Sequence, residues 1–213
     1  MACVAGLVRS PVLPLKTYQE LKIDPLSSIT SVLTKLAKEG EGASLQVLVR
    51  PSPVSLRKRS LKVIQAIQKG VKVEDALIGL NDNIISKTQD FLANPKTKKP
   101  EDQSHRQEVT PIQQEIIQAI TKKASQPIFD VNLRLLASSP ILERTQTILA
   151  ELQSAFDQFN TSFCNRLKFK QLKKSALKRL FYLFSFRVFD ESAIMKLSAA
   201  ELAGLFHFPL TEL

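Results

Sequence analysis

Cysteine, histidine and glycine are scarce in this chain, which carries two, two and six of them in 213 residues. Cys3 and Cys164 are too few and too far apart for a disulfide framework or a zinc site, and they read as reduced thiols in a reducing compartment. His105 falls in a polar, proline-punctuated stretch, where it cannot be held within reach of a nucleophile. His207, between Phe206 and Phe208, reads as a packed or half-exposed ring. Neither histidine has a Cys, Asp or Glu at ligand spacing, so no metal is expected.

The few glycines form no phosphate cradle. Gly40-Glu41-Gly42 lacks the third glycine and the Lys-Ser/Thr of such a loop, and it follows a helix, so it reads as a C-cap and turn. No Gly-x-Ser-x-Gly elbow is present. Glu39/Glu41 and Asp190/Glu191 read as exposed turn charges. No apolar run approaches the roughly 20 residues that span a bilayer. The opening MACVAGLVRSPVLPL is broken by Arg9, Pro11 and Pro14 and lacks the basic and apolar regions of a signal peptide. These absences point to a cytoplasmic, non-enzymatic chain with no cofactor and no small-molecule substrate.

What is there is a core and a positive charge. A hydrophobic content of 44% supports one domain or two small ones. Thirty Lys+Arg against twenty Asp+Glu leave a net charge of +10 and a pI near 9.7. Such a field favours nucleic acid, an anionic lipid surface or an acidic protein.

Residues 7–18 are apolar but interrupted by two prolines, which predicts an edge or irregular strand. Asp24-Pro25 is an N-cap followed by proline at the first helical position, with Leu26, Ile29, Leu33 and Leu36 at helical spacing. In residues 44–50, Leu45, Val47 and Val49 face one way, and Pro51 and Pro53 stop the strand. A basic helix over 56–69 and a weaker amphipathic helix over 73–93 follow. Residues 94–108 read as a mobile linker. Thr110-Pro111 with Gln113 forms a capping box, ahead of a stripe of Ile112, Ile116, Ile117 and Ile120.

The clearest strand lies in 127–137. Phe129, Val131, Leu133 and Leu135 alternate with Asp130, Asn132 and Arg134, which predicts one core face and one wet face. Residues 141–159 read as a long helix with Ile141, Leu142, Thr145, Ile148, Leu149, Leu152, Phe156 and Phe159 inward. Residues 162–169 suggest a strand, as do 194–197, and Ser198 caps a last helix closed by Pro209.

The order strand, helix, strand, inserted helical region, strand, helix, strand predicts an α+β fold. It is an α/β sandwich on a ferredoxin-like split βαβ sheet of about four to five strands, with helices on one face. Residues 1–92 form the first half with its helical insertion, 93–108 the linker, and 109–213 the second half.

Two basic clusters are the candidate contacts for an acidic partner. Arg57, Lys58, Arg59 and Lys62 stand near a helix start, where cations oppose the dipole; they make either a solvated face or a phosphate-facing patch. Arg166, Lys168, Lys170, Lys173, Lys174, Lys178, Arg179 and Arg187 are interleaved with Phe169, Phe181, Tyr182, Phe184 and Phe186. Such a segment can track phosphates and stack bases, lie at a membrane surface, or fold as an amphipathic helix with buried Phe and a solvated Lys face.

Three stretches resemble a known family. VLPLKTYQELKIDPLSSITSVLTKLAKEGEGASLQVLVRP (12–51), AFDQFNTSFCNRLKF (155–169) and LSAAELAGLFHFPLTE (197–212) are similar to the accessory region preceding the motor domain in type IV secretion, conjugation-like ATPases of uncultured small-genome bacteria. The resemblance implies a non-catalytic regulatory, oligomerisation or docking role beside a RecA-like motor or other secretion-machine subunits. It also implies possible contact with DNA and a position near the inner face of the plasma membrane through partners. No Walker motif falls in these positions, so the resemblance carries over no catalytic residue, and the chain reads as a fragment lacking the motor. A free-standing basic nucleic-acid-binding module is the alternative.

Overall fold

The computed structural model describes residues 1–21, 24–36, 39–53, 56–78 and 109–206. In chain order the elements are β1 (Ala2–Leu7), α1 (Pro25–Thr34), β2 (Gly42–Pro51), α2 (Arg57–Gln68), α3 (Val73–Ile78), α4 (Pro111–Ala124), β3 (Ile128–Ser138), α5 (Leu142–Ala155), β4 (Leu167–Leu172), α6 (Lys174–Ser185), β5 (Met195–Ser198) and α7 (Ala199–Leu205). Short 3-10 turns occupy Tyr18–Glu20, Asp157–Phe159 and Glu191–Ala193.

The five strands form one antiparallel sheet in the order β2-β3-β1-β4, with β5 paired to β3. Removing β5 leaves the split βαβ order: β3 lies between β1 and β2, with α1 crossing from β1 to β2 and α5 from β3 to β4. β1 and β5 share one side of β3. Val4 faces Arg134 nearer the C-terminal end of β3, and Lys196 faces Asp130 nearer its start.

Local signals set the helix starts. Asp24 Oδ1 accepts from the Leu26 N–H at 2.8 Å, with Pro25 behind it. Thr110 and Gln113 exchange hydrogen bonds across the start of α4, and Ser198 with Glu201 does the same for α7. In β2, Gly42 faces Ser138, and a Cβ at Gly42 would stand 2.9 Å from the Ser138 hydroxyl. The strand pair closes there because the side chain is missing.

The chain divides into two compact units, Met1–Val54 with Gln126–Leu213, and Ser55–Ser125. The second unit holds α2, α3 and α4, with Val63, Ile67, Val73, Ala76, Ile116 and Ile120 buried. The sequence halves 1–92 and 109–213 each contribute helices to it, and the expected linker 93–108 lies outside the described residues. The first unit contains the sheet. Val131, Leu133 and Leu135 of β3 pack with Ile29 and Val32 of α1 and with Ile148, Leu149 and Leu152 of α5. Phe156 stands 6.0 Å from Phe159 and 5.4 Å from Phe169, centroid to centroid. Among the described residues no helix is long and apolar enough to cross a membrane.

Several expectations are corrected. The first strand is residues 2–7, interior to the sheet between β3 and β4, and the prolines of 7–18 fall after it, Pro11 in a turn and Pro14 in irregular chain. The fourth strand is 167–172 instead of 162–169, because Asn165 is spent holding a loop. Its buried amide Nδ2 donates to the carbonyls of Arg9, Ser10 and Leu13, and its Oδ1 accepts from the N–H groups of Arg9 and Arg166. Ile112, Ile141 and Leu142 are exposed, each at the start of its helix. The remainder of the expected 73–93 helix, and His105, His207 and Pro209, lie outside the described residues.

Candidate functional site

The face of β3 expected to be wet is buried. Asp130, Asn132 and Arg134 are 2%, 1% and 1% exposed, because the end of α6 and the residues after it, 183–193, bond to Asn132 and Arg134, and the Lys196 side chain bonds to Asp130. Helices therefore cover one face of the sheet, and the end of α6 lies on the other.

Arg134 organises this second layer. Its Nη1 donates to Gln46 Oε1 and to the Leu183 carbonyl, at 2.9 and 3.0 Å. Its Nη2 donates to Asn132 Oδ1 and to the Val188 carbonyl, at 3.1 and 2.6 Å. Gln46 Nε2 adds a bond to the Phe184 carbonyl at 3.0 Å. A guanidinium beneath the last carbonyls of α6 meets the negative end of the helix dipole. Burial lowers the Arg134 pKa from its ordinary value, with the Asp190 charge opposing.

α6 ends there in a paired turn. The Val188 N–H bonds to the Leu183 carbonyl at 2.9 Å, and the Arg187 N–H to the Phe184 carbonyl at 3.2 Å. This is the Schellman arrangement, whose left-handed residue is usually glycine. Here it is Arg187, at φ 51°.

A charge row crosses the same face. Arg50 of β2, Asp130 of β3 and Lys196 of β5 are direct cross-strand neighbours. Lys196 Nζ lies 2.6 Å from Asp130 Oδ1, and Arg50 Nη2 lies 3.4 Å from Oδ2. Arg50 also grips Glu191 at 2.6 Å and covers the Phe189 ring at 4.1 Å. Burial alone would raise the Asp130 pKa, but the bonds from Lys196 and Ser52 hold it below the ordinary carboxylate value. Asp190 behaves alike: burial opposes, while Ser192 and the Arg179 charge hold it down. Of the charges expected on exposed turns, Glu39 and Glu191 are exposed, whereas Asp190 is buried and the Glu41 side chain is covered and pairs with Arg144 at 2.8 Å.

Beyond this covered half the second face is open. Lys168 and Lys170 of β4 stand opposite Gly6 and Val4 of β1. With Arg9 and Lys196 they line a groove of about 790 Å³ whose floor is β1, and no carboxylate lines it. Gly6 leaves the floor bare, since a Cβ there would meet nothing within 4 Å.

α6 supplies the third part. Leu180 and Leu183 face inward, whereas Phe181, Tyr182 and Phe186 are 44%, 59% and 68% exposed. The reading of buried aromatics is corrected for these three: a single helix face already filled by Leu180, Leu183 and the half-buried Phe184 has no room for them. Tyr182 and Phe186, one turn apart, place their rings 4.9 Å apart. Lys174 and Lys178 are exposed on the same helix, and no acidic residue occurs from 158 to 189.

The predicted contacts sort accordingly. Arg166, Lys168, Lys170, Lys173, Lys174, Lys178, Arg179 and Arg187 are all exposed. Lys168 with Lys170, and Lys174 with Lys178, are brought together. Arg179 pairs with Asp190 at 3.2 Å, and Arg187 turns to a different groove, along β2. Arg57, Lys58 and Lys62 are exposed and Arg59 half-buried on α2, in the other unit.

Sequence reasoning missed the Asp130–Asn132–Arg134 network. Its one signal was Asp and Asn in mid-strand, where both are disfavoured unless held by partners. Burial pushes the Cys3 thiol up to about 11 and the Cys164 thiol up as well. Among the described residues no three His, Cys, Asp or Glu side chains gather as metal ligands.

Neither the curated proteins nor the solved structures contain a match to the chain. A family model does match: residues 3–213 fit the domain of unknown function DUF8128, and the chain belongs to that family.

Proposed function

We propose that this chain is a non-catalytic docking module that presents a basic, aromatic surface to single-stranded nucleic acid, in the manner of an accessory region of a conjugation-type translocation ATPase. The observation that carries the reading is the outward face of α6. Phe181, Tyr182 and Phe186 are exposed there beside Lys174 and Lys178, and aromatics between cations bind strands by stacking and phosphate contact without sequence preference. Lys168 and Lys170 extend the same charge onto the open half of the sheet.

The likeness of residues 12–51, 155–169 and 197–212 to that accessory region supports placing the module beside a motor or another secretion-machine subunit. Its docking role would be exercised on the cytoplasmic side, with contact to DNA as the strand passes. The buried ionisable groups support a scaffold: Asp130, Asp190 and Arg134 are each committed to structural partners.

The test is a salt titration of binding to fluorescent oligothymidylate. Affinity that falls steeply with salt, with a slope that shrinks in Lys174→Ala/Lys178→Ala, is the expected result. No binding at low salt would overturn the reading.

A further inference from the structure

We infer that the outer edge of β2 is a docking site for an extended segment of a partner protein, one that is apolar at alternate positions and carries a carboxylate. The inference is independent of the nucleic-acid reading and rests on different residues.

The three edges of this sheet are treated differently. β4 carries Lys168 and Lys170, and β5 is four residues long with Lys196 in it. Charges and short length are the usual guards against unwanted strand pairing. β2 has neither. It runs ten residues in unbroken register with β3, and Gly42–Val49 contains no charge and no proline. Among the described residues β2 pairs only with β3.

The edge is also walled. A groove of about 890 Å³ follows Ser44–Val49, with α7 and Phe206 on one side and Phe184 with Arg187 on the other. Leu45 and Val47 belong to the core side of β2, with Leu202. Gln46 faces the other side, where it bonds the Phe184 carbonyl. A lone strand fits between such walls and finds apolar surface on its alternate side chains. A second copy of this chain would bring its own walls against these, which disfavours self-pairing.

Charge selects the occupant further. Among the described residues Arg187 is the only charged one lining the groove, and it occupies the left-handed position of a turn that glycine fills at lower cost. A cation kept in a strained conformation in the groove's lining is placed to meet an acidic side chain.

The experiment pans the full-length chain against phage-displayed random linear peptides as long as β2, then measures a synthetic copy of the consensus. The expected consensus alternates apolar residues and contains Asp or Glu, and the peptide slows hydrogen exchange at the amides of residues 42–49. Ala203→Arg, which fills the α7 wall while leaving β2 intact, weakens binding by about tenfold or more. Arg187→Gly retains binding and loses the acid preference. A peptide that binds Ala203→Arg equally well, or leaves the β2 amides unprotected, overturns the proposal, as does failure to enrich any consensus. A dimer of the unliganded chain that Ala203→Arg converts to monomer overturns it too, by assigning the edge to a second copy.

Discussion

The side-chain amide of Asn132 is paired with the backbone of Asp190: Oδ1 accepts from its N–H at 2.6 Å, and Nδ2 donates to its carbonyl at 3.0 Å. A side chain in mid-strand thereby does for residue 190 what a neighbouring strand would do. The same amide donates to the Ala193 carbonyl and accepts from Arg134, so all of its hydrogen-bonding capacity is used. Replacing it with the near-isosteric Leu strands these partners in a buried layer. Asn132→Leu is expected to cost about 3 kcal/mol or more, read from urea unfolding with an unchanged m-value.

Arg187 gives the opposite sign. Its φ of 51° strains a side-chain-bearing residue, so Arg187→Gly is expected to stabilise the chain by about 1 kcal/mol, while Arg187→Ala gives no such gain. Thermal melts of the three proteins check it. A glycine variant that melts no higher than the parent removes the argument for strain at that turn.

Much of the fold was legible because its signals are local. Asp24-Pro25, the Thr110–Gln113 box and the alternation in 129–135 each depend on residues within one turn or one strand. The buried polar face was not legible, because its cover comes from residues 183–196, some fifty positions along the chain. A period of two predicts two faces and leaves open what lies over the second. The candidate site divides in the same way. The basic run was visible by composition, whereas the outward aim of Phe181, Tyr182 and Phe186 follows from Leu180 and Leu183 having filled the inward side of α6.

Acid should unfold the protein through its paired carboxylates. Asp130, Asp190 and Glu191 have pKa values held below their ordinary 3.8, 3.8 and 4.5. A depressed folded-state value means the unfolded chain takes up protons first as pH falls. The stabilisation is therefore complete above the ordinary carboxylate range and is lost as pH drops through and below it. Urea midpoints should be level near neutrality and decline below the ordinary values, and Asp130→Asn should flatten the decline while lowering the plateau. A decline of unchanged steepness in that variant would remove Asp130 from the account.

Both thiols should be slow. Burial raises Cys3 to about 11 and pushes Cys164 up as well, so little reactive thiolate exists at neutral pH. Ellman's reagent is expected to label neither quickly in the folded protein, Cys3 least, and both at once in guanidinium. Prompt labelling of Cys3 in native buffer would contradict its packing beneath α5, where Gln153 Nε2 lies 3.4 Å from its Sγ.

The last prediction separates the two forces on the outer face of α6. Phosphate contacts release counterions, so removing Lys178 should lower the magnitude of the salt slope for oligothymidylate by roughly 0.7. Stacking releases none. Tyr182→Ala should therefore weaken binding by about 1–3 kcal/mol while leaving the slope unchanged. The ring pair complicates the choice of control, because Tyr182 and Phe186 contact each other as well as solvent. Tyr182→Phe keeps that contact and should bind nearly as the parent does. If Tyr182→Ala alters only the slope, or if both substitutions leave affinity intact, the aromatic face plays no part in strand binding, and the charge alone is responsible for whatever affinity remains.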